Sequence, residues 1–202
     1  MIALSDIIRD NKELLNQRNF DDLYKIIPRD LKATFTDTLY SLKVDPIRYF
    51  EDTIPTHFLY ECGPSGENVP TQMILPNHIK TIAHHAFKSC YVLKYIVLSQ
   101  VEDVEQEAFE DCAALKEVVF SEGLYKIHME AFKDCESLTK IDLPYSVEII
   151  EQSAFENCFN LRKVTYAGSK EDWSYNRIYG SAFRNCPVTK VHCRDGVTDI
   201  YV

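Results

Sequence analysis

The chain has 202 residues, 46% hydrophobic and 26% charged, with a formal net charge of -9 and a pI near 5.2. It is long enough for one large or two small domains, and its acid excess argues against direct nucleic-acid binding or anionic membrane surfaces, which need basic patches. The opening MIALSDIIRDNKELL lacks a basic n-region and a long apolar core, and no stretch nears the ~20 apolar residues that span a bilayer, so a cytoplasmic protein with no signal peptide, no membrane partner and reduced cysteines is expected.

Residues 1–60 show no repeat and read as helical. Ser5 suits an N-cap, and Leu4, Ile7, Ile8 and Leu15 share one face at helical spacing. Phe20, Leu23, Tyr24 and Ile27 suit a second short helix. Pro28 can open a third, with Leu31, Phe35, Leu39 and Leu42 as its apolar stripe. Asp45-Pro46 breaks it, and Pro46–Phe50 restarts a turn of helix. The stretch GPSGENVPT (63–71) is turn-rich and marks a linker or protruding loop.

From residue 74 onward one word recurs: AFKSC, AFEDC, AFKDC, AFENC and AFRNC, starting at Ala86, Ala108, Ala131, Ala154 and Ala182. Each copy sits in a longer frame. The third unit fills it with Leu124, Ile127, Ala131, Phe132, Cys135, Leu138, Ile141 and Leu143. One such unit cannot bury its apolar positions alone, whereas stacked units share a continuous core. The alternating tail of each unit predicts a strand with one buried face, and the Ala-Phe word a short helix or turn on the opposite wall. The fifth unit is longer, and its tail VHCRDGV departs from the frame, as an end cap would; Trp173 is expected to pack there.

The frame resembles the BspA-like class of leucine-rich repeats, found in bacterial, protist and phage proteins, over residues 74–197. The resemblance implies an α+β fold, a leucine-rich-repeat solenoid of about five coils with a parallel sheet, preceded by a small helical N-terminal domain. The expected division is a helical domain or cap over 1–62, a linker or loop over 63–73, and the solenoid with its atypical closing repeat over 74–202. DPIRYFEDTIPTHFLYE is similar to the region before the repeats in some phage-encoded members. Both a capping and a binding role for the N-terminal helices stay open. Members of the class mostly act as adhesive or protein-binding surfaces.

Candidate chemistry is sparse. Cys90, Cys112, Cys135, Cys158 and Cys186 share one repeat position that points into the core, where free cysteine behaves as a small apolar residue. Zinc sites want paired Cys-x-x-Cys or His-x-x-x-His spacings, and neither occurs. His84 beside His85, and His192 beside Cys193, have no second ligand pair; His57, His78 and His128 are isolated. No phosphate-cradling glycine loop or nucleophile elbow is present. The chain is therefore expected not to be an enzyme and to use neither cofactor nor metal.

The informative residues are the outward strand positions. Tyr95, Val97, Glu117 and Val119 make one end of that face largely apolar. Lys140, Asp142, Lys163, Lys190, His192 and Arg194 form a mostly basic other end. An apolar patch with a charged flank fits a protein interface, and the lysine column predicts an acidic patch on the partner protein. The second outward column pairs Lys80 with Thr81, Glu102 with Asp103, Tyr125 with Lys126 and Glu148 with Ile149; it alternates in sign and suggests no ligand. The expected function is a protein–protein interaction module. The phage likeness points to an inhibitor of a host defence protein. A structural or virion assembly component and an acidic nucleic-acid mimic are the alternatives, and the oligomeric state stays open.

Overall fold

The computed structural model describes residues 20–28, 31–32, 35–36, 39–40, 46–62 and 69–200. The expected first helix with its Ser5 cap, Leu42, the Asp45 break and residues 63–68 lie outside the described residues.

Each coil contributes one short strand and one longer strand. In chain order these are β1 (Thr53–Ile54) and β2 (Gln72–Ile74), β3 (Thr81–Ile82) and β4 (Tyr95–Leu98), and β5 (Asp103–Val104) and β6 (Glu117–Phe120). They continue as β7 (Lys126–Ile127) and β8 (Lys140–Leu143), β9 (Ile149–Ile150) and β10 (Lys163–Tyr166), and β11 (Arg177–Ile178) and β12 (Lys190–Cys193). The short strands pair in parallel as one sheet, β1-β3-β5-β7-β9-β11. The long strands form two sheets, β2-β4-β6 and β8-β10-β12, the second extended by β13 (Gly196–Asp199), which runs antiparallel to β12. Ile and Val alternate inward along these strands; in β4, for example, Ile96 and Leu98 are buried and Tyr95 and Val97 half-buried.

The Ala-Phe word forms the third wall, and it is not helical. Two residues in each of the four coils from Ala86 to Ala154 hold the left-handed conformation: His85, Glu107, Glu130 and Ser153 before the alanine, then Ser89, Asp111, Asp134 and Asn157 before the cysteine. These residues turn the chain twice where the three-to-four spacing of apolar positions looks helical. The turned backbone closes short turns within its own coil, such as Cys90 N–H to the Phe87 carbonyl at 3.0 Å, and its other N–H groups bond to the next coil. Phe87 donates to the Ala108 carbonyl at 2.8 Å and Ser89 to the Glu110 carbonyl at 2.7 Å, and the pattern repeats up the stack. A left-handed non-glycine residue costs roughly 1–2 kcal/mol. The ladder bond it permits, and the burial of Phe beside it, offset that cost.

Inside, the phenylalanines form one column. Phe87, Phe109, Phe132, Phe155 and Phe183 are fully buried and stack nearly parallel at 4.8–5.2 Å. Each alanine before them is buried too, because a larger side chain there would push the coils apart.

The solenoid begins earlier than the sequence reading placed it. β1 pairs with β3, and Leu59 donates to the Ala86 carbonyl just as Phe87 donates to that of Ala108. Residues 53–62 are thus a degenerate coil, with Phe58-Leu59 in place of Ala-Phe and Cys62 at the cysteine position. β2 is its long strand, so the later part of the stretch read as linker is part of the sheet. The bulky Phe58 is accommodated because, among the described residues, α1 and not a coil lies before it. Its ring packs instead between Tyr24 at 5.6 Å and Phe87 at 5.7 Å.

Before this coil, α1 (Phe20–Ile26) buries Leu23 and Tyr24, and the described residues among 31–40 are helical as well. Tyr24 sits in an aromatic cluster with Phe35, Phe50 and Phe58. Its hydroxyl bonds Thr36, whose own hydroxyl contacts the Phe58 carbonyl at 2.9 Å. A 3-10 turn at Pro46–Tyr49 leads into β1. The buried apolar residues of these segments, Leu23, Tyr24, Ile27, Phe35, Leu39, Ile47 and Phe50, join the same hydrophobic cluster as the coils, so the described part of the N-terminal region has no core of its own.

The far end is closed by α2 (Lys170–Tyr175), inserted into the last coil. Ser169 and Asp172 form a reciprocal capping box at its start. Trp173 is fully buried and lies 5.4 Å from the Tyr166 ring. The chain enters α2 through Gly168, where a Cβ would fall 2.4 Å from that same ring.

Candidate functional site

The long strands carry nine of the ten predicted partner-binding residues, all but Arg194, and the register sets their rows. Gln72, Tyr95 and Glu117 lie side by side, as do Ile74, Val97 and Val119. Beyond the break between the two sheets, Lys140 lies beside Lys163, and Asp142 beside Thr165 and then His192. The apolar residues therefore belong to one sheet and the basic column to the other. Tyr95, Val97, Glu117 and Val119 are half-buried; Lys140, Asp142, Lys163, Lys190, His192 and Arg194 are exposed. Arg194 lies just past the end of β12, where its N–H donates to the Gly168 carbonyl.

One residue missing from the sequence reading belongs here. Ile74 is 73% exposed and heads the apolar row with Val97 and Val119. The signal was present in the alternation of Met73, Ile74 and Leu75, but the linker was drawn up to residue 73 and the first repeat unit was read from Ile79, so no strand was expected at Ile74.

The basic column is less basic than the residue types suggest. The Lys140 ammonium lies 3.3 Å from Asp142 and 3.8 Å from Glu117. These carboxylates, Asp142 foremost, push the Lys140 pKa up. The Thr165 hydroxyl, donating at 2.7 Å, and then Lys140 hold the Asp142 carboxyl below its ordinary range despite partial burial. Lys190 pairs with Asp199 of β13 at 2.6 Å. Lys163, His192 and Arg194 form no ion pair among the described residues. The expected continuous cationic stripe is thus neutralised in two of its four rungs by groups that come close only in the folded sheet.

Cysteines and histidines fall as follows. The thiol column runs from Cys62 to Cys186, with Cys62, Cys90, Cys112, Cys135 and Cys158 buried and none of them in a disulfide. Cys112, Cys135, Cys158 and Cys186 each direct Sγ at the phenylalanine carbonyl of the preceding coil, at 2.9–3.2 Å. Burial pushes the Cys112, Cys135 and Cys158 thiols well up, which suits weak donors rather than nucleophiles or metal ligands. His85 bridges His57 at 3.3 Å and Glu107 at 2.7 Å.

Carboxylate oxygens of Glu107, Glu110 and Glu130 approach within 4.8 Å of one another, an arrangement that could hold a cation. Lys88 already supplies one, its ammonium 2.5 Å from both Glu107 and Glu110. Burial works to raise both acids. Lys88, Glu110 and His85 nevertheless pull Glu107 far below its ordinary value, while Glu110 stays raised beside its charged neighbour. The residue after each phenylalanine alternates in sign, as Lys88, Glu110, Lys133, Glu156 and Arg184. Lys88 meets Glu110 at 2.5 Å, Lys133 meets Glu110 at 3.9 Å and Arg184 meets Glu156 at 3.7 Å. The acidic cluster belongs to this ladder between coils. No helix among the described residues is long and apolar enough to cross a membrane.

Residues 66–187 match six copies of the BspA type leucine-rich repeat region. A leucine-rich repeat protein of T. pallidum is similar at 30% identity and a TM-score of 0.52, over 56% of this chain and 51% of that one. A leucine-rich repeat protein from Bacteroides ovatus ATCC 8483 shares the fold at 24% identity and a TM-score of 0.55, over 72% of this chain and 37% of that one. The chain thus spans about half the length of the first and less of the second. No curated protein matches.

Proposed function

Since the chain belongs to the BspA-type leucine-rich-repeat family, we propose that it is a binding module, not an enzyme, which holds a partner protein on its long-strand face. One observation carries this reading: the outward row of exposed Ile74 and half-buried Val97 and Val119, flanked by Tyr95, on a registered sheet. Apolar side chains held in fixed rotamers by a sheet lose little entropy on binding, which is what interface anchors require. The exposed charges of Lys163 and Arg194, beyond β8 on the second long-strand sheet, steer an acidic partner surface into register. In the described residues the N-terminal segment covers the first coil; this favours the capping role for it. The narrower reading, a phage protein that inhibits a host defence protein, rests on the likeness of residues 45–61 and on the small size of the chain.

The test is affinity capture from host lysate with the wild-type chain and with Y95D/V97D/V119D as baits, and with I74D as a second variant whose exposed position spares the fold. Loss of an anchor in such a patch costs about 2 kcal/mol, roughly a 30-fold weakening. A protein recovered by the wild type and lost with both variants supports the reading. Equal recovery by all three baits removes this face from the interface.

A further inference from the structure

The wall of short strands, whose alternating charges suggested no ligand, acquires a new feature where α2 interrupts the last coil. The insertion carries Tyr175, 78% exposed, to the side of the turn before β9. Two adjoining clefts of about 230 and 300 Å3 result, and both are lined by Glu148, Tyr175 and Asn176. Tyr125, Ile149 and Arg177 complete the smaller one. Tyr145, Tyr166 and Asp172 help to complete the larger one, to which no Lys, Arg or His contributes.

The walls of the larger cleft are fixed. The Asn176 side-chain amide donates to the Val147 carbonyl at 2.9 Å and to the Tyr166 hydroxyl at 3.1 Å. That hydroxyl in turn donates to the Tyr145 carbonyl at 3.3 Å. The capping box holds Asp172 in place, and the Ser169 hydroxyl keeps its carboxyl below the ordinary range. Tyr145 is 56% exposed, and Glu148 is exposed with no ion pair among the described residues. Exposed aromatic faces carry negative potential and attract cations within about 6 Å of the ring. Two rings and two carboxylates around one cleft, with no basic group in its lining, disfavour an anion and leave a neutral guest without a charge partner.

We propose that the cleft between Tyr145, Tyr175 and Glu148 binds an organic cation, a guanidinium or a methylated ammonium group. Arg177 keeps such a guest out of the smaller cleft, which therefore serves only as an approach. The cation is borne either by a side chain of a bound peptide or by a small free molecule.

The full chain is titrated with acetyl-Gly-X-Gly amides in which X is arginine, trimethyllysine or the neutral norleucine, and separately with tetramethylammonium chloride against sodium chloride at equal ionic strength. Trp173 fluorescence and NMR shifts report, since Trp173 lies on α2 against Tyr166. Both cationic peptides are expected to bind at least about 10-fold more tightly than the norleucine peptide. Y175A is expected to weaken them about 2- to 5-fold, the loss of one cation–π contact. E148Q weakens them by a similar factor that shrinks at high salt, and the distant E136Q does not. Tetramethylammonium binding as tightly as the peptides identifies a free cation as the source; weaker binding identifies a side chain. Equal binding of the norleucine peptide, equal effects of E148Q and E136Q, or no response to any cation at about 10 mM overturns the proposal.

Discussion

Replacing Phe132 by leucine tests whether the phenylalanine column is a physical stack or only a row of filled holes. Leucine restores most of the buried apolar volume, so the difference isolates the aromatic contacts. Phe132 makes three: parallel stacks with Phe109 at 5.0 Å and Phe155 at 5.2 Å, and an edge contact with Phe120 at 5.8 Å. At about 0.5–1.5 kcal/mol for each pair, the loss is about 1.5–4.5 kcal/mol. Phe183 closes the column with a single stack, on Phe155 at 5.1 Å, and the same change there costs about 0.5–1.5 kcal/mol. Urea unfolding is followed in parallel by circular dichroism, which reports the whole sheet, and by the fluorescence of Trp173, which reports the closing coil. Equal costs at the two positions, or a larger one at Phe183, would refute the stacking account. A Trp173 transition that precedes the dichroism would show the end coil opening by itself, as nearest-neighbour coupling allows.

Other perturbations follow from the same contacts. The buried thiols of Cys112, Cys135 and Cys158 have pKa values raised above the ordinary 9.0, so the unfolded chain releases protons first as pH rises. Stability is constant in these groups below about pH 9 and falls above it; a C112A/C135A/C158A variant, though less stable at neutral pH, should show a shallower alkaline decline in its denaturation midpoint. Lys88→Met leaves Glu107 and Glu110 facing each other without their shared ammonium, and calorimetry should show a loss of about 1–3 kcal/mol that lessens as pH falls and the acids protonate. Gly168→Ala drives a methyl against a Tyr166 ring that Asn176 pins, and should cost about 1–3 kcal/mol with a red shift of Trp173 emission. Lys140→Met, on an exposed and self-neutralised rung, should leave the urea midpoint unchanged.

The repeat was legible because every coil solves the same packing problem with the same residues. Phe109, Phe132 and Phe155 occupy equivalent sites, so their spacing discloses the stack, and the alternation of Ile141 with Lys140 and Asp142 discloses which strand face is outward. The degenerate first coil escaped notice for the converse reason. Phe58 meets Tyr24 of α1 on the side where the later alanines face a preceding coil, so the alanine that marks the frame was not required. The helical spacing within the Ala-Phe word also misled, since left-handed residues such as Glu130 and Asp134 have no obligatory residue type and leave little trace in one sequence.

The sequence by itself determined the solenoid, its direction, its closing irregularity and the inward column of thiols, all of which depend on local periodicity and on side-chain size. Only the tertiary structure decided what the outward residues amount to. Lys140 loses much of its field to Glu117 one coil earlier and to Asp142 on its own strand, and Ile74 joins Val97 across 23 residues of chain. Tyr145, Glu148 and Tyr175 meet because an inserted helix folds back over the turn before it. Charge and exposure depend on neighbours brought together by stacking, and the separation of those neighbours along the chain follows no period that a reader of the sequence can see.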